Sequence, residues 1–405
     1  MISQIKIENY KSITSLEMNL GRVNVLIGEN GSGKTNILEA VAVGAAAEVD
    51  KLDNEYLLPR GIRVTAANLM RSGFAKLESN NGTIGITFWN TLGENVGIGI
   101  DSVSSENLNT KIVASTSKNY KIKQNDITPK IRETINELIK RGVKKELEED
   151  FLILRFPEDY VLKNELEQLF LNSLDRFNNI RRGLFNFDKF LIFCPENSSL
   201  RRFEEEGQIR PLGVRGEGLF SHLADLARKD PATFHRINEE LQLIDWFGDF
   251  EIPNDLMFTE KRIRIRDRYL DEGIQYIDQR SSNEGFLFLL FYVTLFVSPH
   301  TPKFFAIDNI DNALNPKLCS ALIKLIVKLA KENDKQVIVT AHNPGLLDGL
   351  NLNDEDQRLF VISRNKLGHT KALRIENKPS TNGHEPVKLS EQFLRGYIGG
   401  LPKNF

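Results

Sequence analysis

Two segments that lie far apart in this chain form complementary halves of one phosphate-binding site. Residues 28–35 read Gly-Glu-Asn-Gly-Ser-Gly-Lys-Thr and match the pattern G-x-x-x-x-G-K-T at every position. Such a loop offers backbone N–H groups and the Lys34 ammonium to the β- and γ-phosphates, and its Thr35 hydroxyl faces Mg²⁺. Residues 304–307 form an apolar run ending at Asp308, whose carboxylate is expected to hold the same ion from the other side. The chain is therefore predicted to bind ATP or GTP with Mg²⁺.

The residues around the loop have the order that a phosphate loop requires. Residues 22–27 are typical of a strand that runs into the glycines, and residues 36–42 carry apolar side chains at helical spacing. The residues expected to bind the nucleotide are Gly28, Glu29, Asn30, Gly31, Ser32, Gly33, Lys34 and Thr35, and the expected metal ligands are Thr35 and Asp308.

The composition limits the class of protein. Of 405 residues, 40% are hydrophobic and 27% are charged, which is ordinary for a soluble globular protein. The net charge of −2 gives no overall attraction to nucleic acid, so any such binding depends on a local patch. Cys194 and Cys319 have no metal-ligand spacing, and the longest apolar stretch, residues 286–297, is shorter than the ~20 residues that cross a bilayer. We expect a cytoplasmic protein without a membrane partner.

Hydrophobic periodicity predicts an α/β fold, a phosphate-loop nucleoside triphosphatase built from three parts. Residues 1–124 contain short alternating segments typical of strands and form a β-rich N-terminal lobe that carries the phosphate loop. Residues 125–245 begin with a helical pattern that runs from Pro129 to about Asn186, and we interpret them as a helical insertion or lid. Residues 246–405 alternate helix and strand after Ser281 and form a C-terminal lobe with the second half of the site.

A histidine follows the next predicted strand after Asp308. Residues 337–341 are largely apolar and end at His342, one predicted helix after the carboxylate. At the carboxyl end of a strand an imidazole can form a hydrogen bond with a γ-phosphate or an attacking water. A lone histidine is often structural, but this order along the chain favours a functional role for His342.

Two polar turns precede helices in the same region. Residues 281–285, Ser-Ser-Asn-Glu-Gly, lead into the apolar stretch, so Ser282 and Gly285 are candidates for a second phosphate-binding surface. The alternative is an ordinary helix cap formed by Ser282 or Asn283. Residues 311–316 predict a helix capped by Asn315, and their functional interpretation is an interface loop.

Two segments carry clusters of basic residues. Residues 262–268 alternate arginine with apolar residues, so one strand face could meet DNA phosphates, or it could form a solvated face paired with acidic neighbours. The second interpretation is favoured. Residues 140–150 place four basic residues before four acidic ones, and we interpret them as a helix with i,i+4 ion pairs.

Together these features resemble the ATP-binding-cassette ATPases of the RecF, structural-maintenance-of-chromosomes and overcoming-lysogenisation-defect type. The resemblance rests on the entry strand at residues 7–13, residues 28–36 with Asn36 after the Lys-Thr pair, the turn at residues 281–285, the Asp308 strand and His342. It implies a head-shaped ATPase fold and a head-to-tail homodimer, in which Ser282 and Gly285 of one subunit cap the ATP of the other. Two residues stand between Ser282 and Gly285, where the family usually has one, as in Ser-x-Gly. No glutamine loop is assigned in residues 50–90.

One departure from the family pattern concerns the chemistry. Asn309 stands directly after Asp308, where the family usually has a glutamate, and a neutral amide cannot accept a proton from the attacking water. Hydrolysis is therefore expected to be impaired or differently catalysed. Asp311 is the nearest alternative carboxylate, but at that position it would as readily cap the following turn.

The resemblance implies an ATP-dependent dimerisation switch that controls a partner acting on nucleic acid, in DNA repair or in anti-phage defence. That partner would be a separate effector, a nuclease or a toxin, and nucleic acid itself is a possible partner. The alternative is a scaffold that binds nucleotide without hydrolysing it. In that case Asn309 keeps the dimer closed, and the protein assembles or inhibits an effector. A transporter subunit uses a similar cassette, but the large insertion and the RecF-like N-terminus speak against it.

Overall fold

In the computed structural model of the chain, the described residues are 1–49, 51–63, 65, 67–73, 83–91, 95–102, 112–123, 129–148, 151–155, 166, 189–203, 208–252, 263–271, 274, 276–377 and 387–401. The described strands form three sheets. A seven-stranded antiparallel sheet has the order β2-β1-β4-β5-β6-β8-β7, a six-stranded sheet has the order β15-β14-β3-β13-β12-β9, and β10 pairs with β11.

The strands are β1 Ile2–Tyr10, β2 Ile13–Asn19, β3 Val23–Ile27, β4 Ile84–Asn90, β5 Asn95–Ser102, β6 Ile112–Lys123, β7 Lys144–Glu148, β8 Phe151–Arg155, β9 Ile192–Phe193, β10 Phe247–Glu251, β11 Arg264–Asp267, β12 Phe304–Ile307, β13 Gln336–Ala341, β14 Gln357–Arg364 and β15 Thr370–Ile375. The helices are α1 Lys34–Glu48, α2 Asn54–Leu57, α3 Ala67–Met70, α4 Pro129–Lys140, α5 Asn197–Leu200, α6 Leu219–Lys229, α7 Pro231–Glu240, α8 Glu284–Val297, α9 Pro316–Glu332 and α10 Leu389–Leu394. Short 3-10 turns lie at Leu58–Arg60, Leu241–Leu243 and Pro344–Gly349.

The six-stranded sheet separates two hydrophobic cores. Because successive side chains of a strand point to opposite faces, Val23, Val25 and Ile27 of β3 pack in one core and Leu26 packs in the other. The first core contains the helices α8 and α9. The second contains α1 together with side chains of the seven-stranded sheet. The α/β architecture predicted from the sequence is confirmed.

Parallel pairing sets the edge at which the site forms. β3 pairs in parallel with β13 and β14, and β13 pairs in parallel with β12. The carboxyl ends of these strands therefore lie together at one edge of the sheet. The phosphate loop, Asp308 and His342 each follow one of these strands.

The predicted helix at residues 140–150 is wrong, and so is the continuous helical pattern after Pro129. Helix α4 ends at Lys140, and Gly142 adopts a φ of 104° that stops it. β7 and β8 follow and form a hairpin whose β8 pairs with β6. Backbone pairing with a sheet overrides the helical preference of the Lys and Glu residues. Residues 156–188 lie outside the described residues apart from Leu166.

The predicted arginine strand is present as β11. Arg264 forms an ion pair with Glu251 at 3.1 Å and Arg266 one with Asp249 at 2.8 Å, both across the hairpin with β10. These pairs support the interpretation as a solvated, ion-paired face. Arg262 lies outside the described residues.

Helix α8 is buried on every side. Residues 285–297 are all buried, as expected of a helix in the centre of a core. Among the described helices, none has both the length and the apolar character needed to span a membrane. Beyond its C-terminus the ammonium of Lys335 donates to the carbonyl oxygens of Ser298, Thr301 and Pro302 and to the Thr301 hydroxyl, at 2.7 to 3.2 Å. Burial lowers the pKa of Lys335 to about 7, so these contacts fix the end of α8 through hydrogen bonds to its open carbonyl groups more than through charge.

His222 is predicted to make the fold acid-sensitive. Its Nε2 lies 2.8 Å from the Ser298 hydroxyl, and burial lowers its pKa from 6.5 to about 4. Between these pH values the unfolded chain binds a proton that the folded chain does not, so the free energy of unfolding falls as the pH falls. The loss by pH 4.5 should be about 2–3 kcal/mol, and His222→Gln should remove it. Urea unfolding at pH 7 and pH 4.5 measures the difference.

The control is His235→Gln, because the His235 side chain on α7 is 74% exposed. An identical pH dependence in the wild type and in His222→Gln would contradict the role of the buried imidazole.

Candidate nucleotide site

Glycines shape the turn between β3 and α1. A Cβ on Gly28 would lie 2.0 Å from the carbonyl oxygen of Ile362, and a Cβ on Gly33 would lie 2.1 Å from the Thr370 hydroxyl. Both residues also have positive φ, 155° and 108°. Only glycine fits these two positions, so the loop between them takes a fixed path.

The phosphate loop has the features of a polyphosphate cradle. The Lys34 ammonium is buried and donates to the carbonyl oxygens of Gly28 at 2.7 Å and Glu29 at 3.0 Å. The hydroxyl of Ser32 is buried without a hydrogen-bond partner, and no side chain caps the first turn of α1. Uncapped N–H groups, a free hydroxyl and a cation are the donors that phosphate oxygens accept from. The residues present therefore fit a nucleoside triphosphate.

Burial lowers the pKa of Lys34, while Asp308, Asp311 and Glu29 oppose that shift. The ammonium is thus surrounded by carboxylates in a partly desolvated place. An anionic ligand adds a further partner to this buried cation.

The two predicted metal ligands lie together. Thr35 Oγ1 donates to Asp308 Oδ2 at 3.0 Å, although the residues are 273 positions apart in the chain. The other carboxylate oxygen, Oδ1, accepts from the Thr340 hydroxyl of β13 at 2.5 Å. A hydroxyl and a carboxylate at hydrogen-bond distance are oxygen ligands of the kind that Mg²⁺ prefers. When bound there, Mg²⁺ would neutralise charge on the phosphates.

His342 lies beside the same loop. Its side chain is exposed, and its pKa is lowered by partial burial and by the Lys34 ammonium, while Asp311 and Asp308 oppose the shift. His342 follows β13, which pairs in parallel with β3 and β12, so the residue lies at the same edge of the sheet as the phosphate loop and Asp308. The structure thus brings the three predicted elements together, and the role of His342 stays a prediction.

Asp311 has a structural task. Its Oδ2 accepts from the backbone N–H of His342 at 2.9 Å and from that of Asn343 at 2.6 Å. The carboxylate thus holds the loop that carries His342, and not the turn directly after Asp311 that the sequence offered as its alternative partner. Asn315 caps α9 as predicted, accepting from the N–H of Leu318 at 2.9 Å.

Asn309 has an unusual backbone. Its φ is 56°, in the left-handed region, and its N–H donates to the Thr340 hydroxyl at 2.8 Å. Asparagine is several-fold enriched in this conformation, whereas glutamate is disfavoured there. The backbone therefore gives a physical reason for an asparagine after Asp308.

The Ser282 side chain points away from the expected surface. It is 4% exposed, and its hydroxyl donates to the carbonyl of Gln279 at 3.1 Å. Asn283 is the N-cap of α8, and neither Ser282 nor Asn283 forms a side-chain cap. In this conformation the Ser282 hydroxyl is thus occupied by the Gln279 carbonyl, and its contact with a phosphate stays a prediction. Gly285 is buried, and a Cβ there would lie 3.3 Å from the carbonyl oxygen of Ala313, so α8 begins against the turn after Asp308.

Sequence reasoning missed a relay of hydroxyls that supports the phosphate loop. The Asn36 amide donates to Ser12 Oγ at 2.8 Å, Ser12 and Thr370 share a 2.7 Å bond, and Thr370 Oγ1 donates to the Ser32 carbonyl at 3.0 Å. Because each hydroxyl has a single proton, Ser12 must donate to Thr370. The partners lie up to 358 positions apart. No local sequence signal could have identified them.

Arg63 was also missed. Its guanidinium donates to Glu39 Oε1 at 2.6 Å and to Asn36 Oδ1 at 3.3 Å. Glu39 is completely buried and also accepts from Lys11 at 2.5 Å. The hydrogen bond with Glu39 raises the pKa of Arg63, and Asp308 adds to this effect. A cation held by Glu39 thus stands at the first turn of α1, next to Asn36.

The chain was compared with known proteins. The sequence model of the family described as RecF/RecN/SMC N terminal domain matches residues 1–355. Two curated relatives, each a DNA replication and repair protein RecF, come from Bacillus thuringiensis (strain Al Hakam) and Bacillus cereus (strain B4264). Each is 43% identical over 60 residues, which are 15% of this chain and 16% of the relative. The chain therefore aligns with less than a fifth of the length of these relatives.

A solved structure, the SmcHead bound to the C-winged helix domain of ScpA, is similar in fold. Its TM-score is 0.51 at 14% sequence identity, and the alignment covers 93% of this chain and 98% of that chain. The family match over residues 1–355 extends well beyond the phosphate loop and includes Asp308 and His342. The chain belongs to the RecF/RecN/SMC N-terminal domain family.

Proposed function

We propose that the protein binds ATP with Mg²⁺ at residues 28–36 and hydrolyses it slowly. The observation that carries this proposal is the 3.0 Å contact between Thr35 and Asp308, which joins the two halves of the site. Lys34 neutralises the β- and γ-phosphates, and the relay from Asn36 to Ser32 keeps the loop in shape. His342, on the loop held by Asp311, contacts the γ-phosphate or the water beside it.

ATP would act as a dimerisation switch. Gly285 and the exposed N-cap Asn283 of one subunit would face the phosphate loop of its partner, as the family resemblance implies. The open N-terminus of α8 supports this arrangement because its N–H groups have no side-chain cap. The Ser282 hydroxyl would contribute only after leaving Gln279.

The dimer would control a separate effector that acts on nucleic acid, a nuclease or a toxin, in DNA repair or in anti-phage defence. The similarity of 60 residues to DNA replication and repair proteins supports the link to nucleic acid. Nucleic acid itself is a second candidate partner. The protein would work in the cytoplasm.

A scaffold that binds ATP without hydrolysing it is the second candidate. One observation favours it: Asn309, directly after Asp308, carries no carboxylate and so cannot accept a proton from water. Asp311 is the remaining candidate base, because only its Oδ2 accepts the two backbone hydrogen bonds and its buried Oδ1 has no hydrogen-bond partner. Single-turnover hydrolysis distinguishes the scaffold from the slow switch.

Lys34→Ala should weaken ATP binding at least about 100-fold, because it removes the side-chain cation from the phosphate loop. Binding of a fluorescent ATP analogue measures the change. Lys324→Ala, at an exposed position on α9, is the control and should leave the affinity unchanged. Equal affinity in Lys34→Ala and wild type would refute the site.

The same variants test the switch when molecular mass is measured by light scattering. Wild-type protein with ATP and Mg²⁺ should be dimeric, and Lys34→Ala should stay monomeric. A wild-type monomer at saturating ATP would exclude the ATP-dependent homodimer while leaving nucleotide binding intact.

Asp308→Asn should abolish the contribution of Mg²⁺ to ATP affinity, because it removes the negative charge that faces the ion. The affinity is measured with Mg²⁺ and with a chelator. Asp311→Asn is the matched control, since the Asp311 carboxylate holds the His342 loop and not Thr35. A loss in Asp308→Asn that is as large in chelator as in Mg²⁺ would count against a metal ligand.

Asn309→Glu should accelerate hydrolysis if a missing carboxylate limits the reaction. Wild-type turnover should lie well below the median enzyme value of about 10 s⁻¹. A correctly placed general base contributes about 10²–10⁴-fold. Multiple-turnover phosphate release measures both rates.

Asn309→Gln is the control, because glutamine has the length of glutamate without its charge. Both variants should lose about 1 kcal/mol of stability, since their side chains disfavour the left-handed backbone at φ 56°. Equal rates in the two variants would show that the carboxylate is not the limiting group.

A further inference from the structure

The C-terminal segment at residues 387–401 lies outside the part matched by the family model, yet it touches the phosphate loop. Gly400 lies against Gly28, since a Cβ built on Gly400 would be in ordinary van der Waals contact with the Cα of Gly28, at 3.5 Å. It would also lie 2.6 Å from Val361 Cγ1 and 3.0 Å from Phe393 Cε2. Gly400 is therefore enclosed between the phosphate loop, β14 and α10, with no room for a side chain.

The other end of the segment is anchored near His342. The backbone N–H and the hydroxyl of Ser390 donate to the two oxygens of Asp348, at 3.0 and 2.8 Å. Asp348 belongs to the 3-10 turn Pro344–Gly349, which begins directly after the His342 loop. Phe393 is 6% exposed and fixes α10 to the first core. The segment thus connects the two loops that flank the phosphate site.

We propose that this segment positions the phosphate loop through Gly400 and thereby sets the affinity for nucleotide. The inference rests on the proposed function of residues 28–36. Gly28 starts the loop, and its carbonyl oxygen holds the Lys34 ammonium at 2.7 Å. A displacement of Gly28 therefore moves the cation that meets the phosphates. Gly400 is a positioning residue, since it acts through Gly28.

Gly400→Ala and Gly399→Ala form a matched pair. The two glycines have similar left-handed φ values, 85° and 77°, so both variants carry the same backbone strain. A Cβ on Gly399 meets no atom within 4 Å, whereas a Cβ on Gly400 collides with Val361. A misplacement of 1 Å can cost about 10²-fold in a preorganised site, so a shift of a few tenths should weaken ATP binding about tenfold.

The measurement is the affinity for a fluorescent ATP analogue with Mg²⁺, together with the urea midpoint of each variant. Gly400→Ala should bind about tenfold more weakly, and Gly399→Ala should match the wild type within about twofold. Val361→Ala removes the methyl group nearest the new Cβ, so Gly400→Ala with Val361→Ala should regain most of the affinity relative to Val361→Ala alone. Equal affinity in Gly400→Ala and Gly399→Ala would overturn the proposal, as would a double variant without recovery.

If Gly400→Ala does not fold, Ser390→Ala decides the question, because it removes the anchoring hydroxyl from the segment itself and leaves Asp348 and the turn after His342 unchanged. A loss of about threefold or more in ATP affinity supports the proposal, and unchanged affinity overturns it. The proposed function fails separately: wild-type protein that does not bind ATP, or Lys34→Ala that binds as well as wild type, would refute the site itself.

Discussion

The parallel pairing of β3, β13 and β12 is the constraint on which the site depends. Each strand carries one functional group at its carboxyl end, and no two of these groups are near in sequence. Backbone hydrogen bonds in register place Ile27 opposite Ala341 and Ile307 opposite Val339. A slip of one residue would turn the buried side chains of a strand to the other face, so both cores oppose it. Packing therefore fixes the distance between the phosphate loop and Asp308.

The charged side chains at the carboxyl edge of the six-stranded sheet lie close to groups of opposite charge or to hydrogen-bond acceptors. Lys34 is buried among carboxylates that oppose the lowering of its pKa, and its ammonium also meets two backbone carbonyls. A buried cation without such partners would be strongly unfavourable. Glu39 lies one helical turn further, buried between Lys11 and Arg63. The first turn of α1 is thus flanked by cations, which suits a ligand that carries several negative charges.

The sequence predicted the parts of the site that depend on local patterns, and missed those that depend on distant partners. The strand-turn-helix order around residues 28–35, the strand β12 and the Asn315 cap follow from spacing and capping preferences, and the structure has all three. Binding of phosphate by residues 28–35 stays a prediction. The hairpin of β7 and β8 was missed because its Lys and Glu residues are also common in helices. The pairing of β8 with β6 makes this segment a strand, and the local sequence does not contain that information. The inward direction of Ser282 depends on the Gln279 carbonyl, which no motif specifies. Long-range contacts of this kind are set by the whole fold.

The asparagine after Asp308 shows how backbone and chemistry are linked. The chain must leave β12 and turn back so that Asp311 can reach the His342 loop, and it does so with left-handed residues at Asn309 and Ala313. Asparagine adopts that conformation readily, whereas a longer acid there carries a cost of about 1–2 kcal/mol. A glutamate would thus supply a base while straining the turn that holds His342. In this chain Asn309 keeps the turn relaxed and leaves the site without a general base at that position. An ordered His342 loop and slow hydrolysis therefore have a common cause in our proposal.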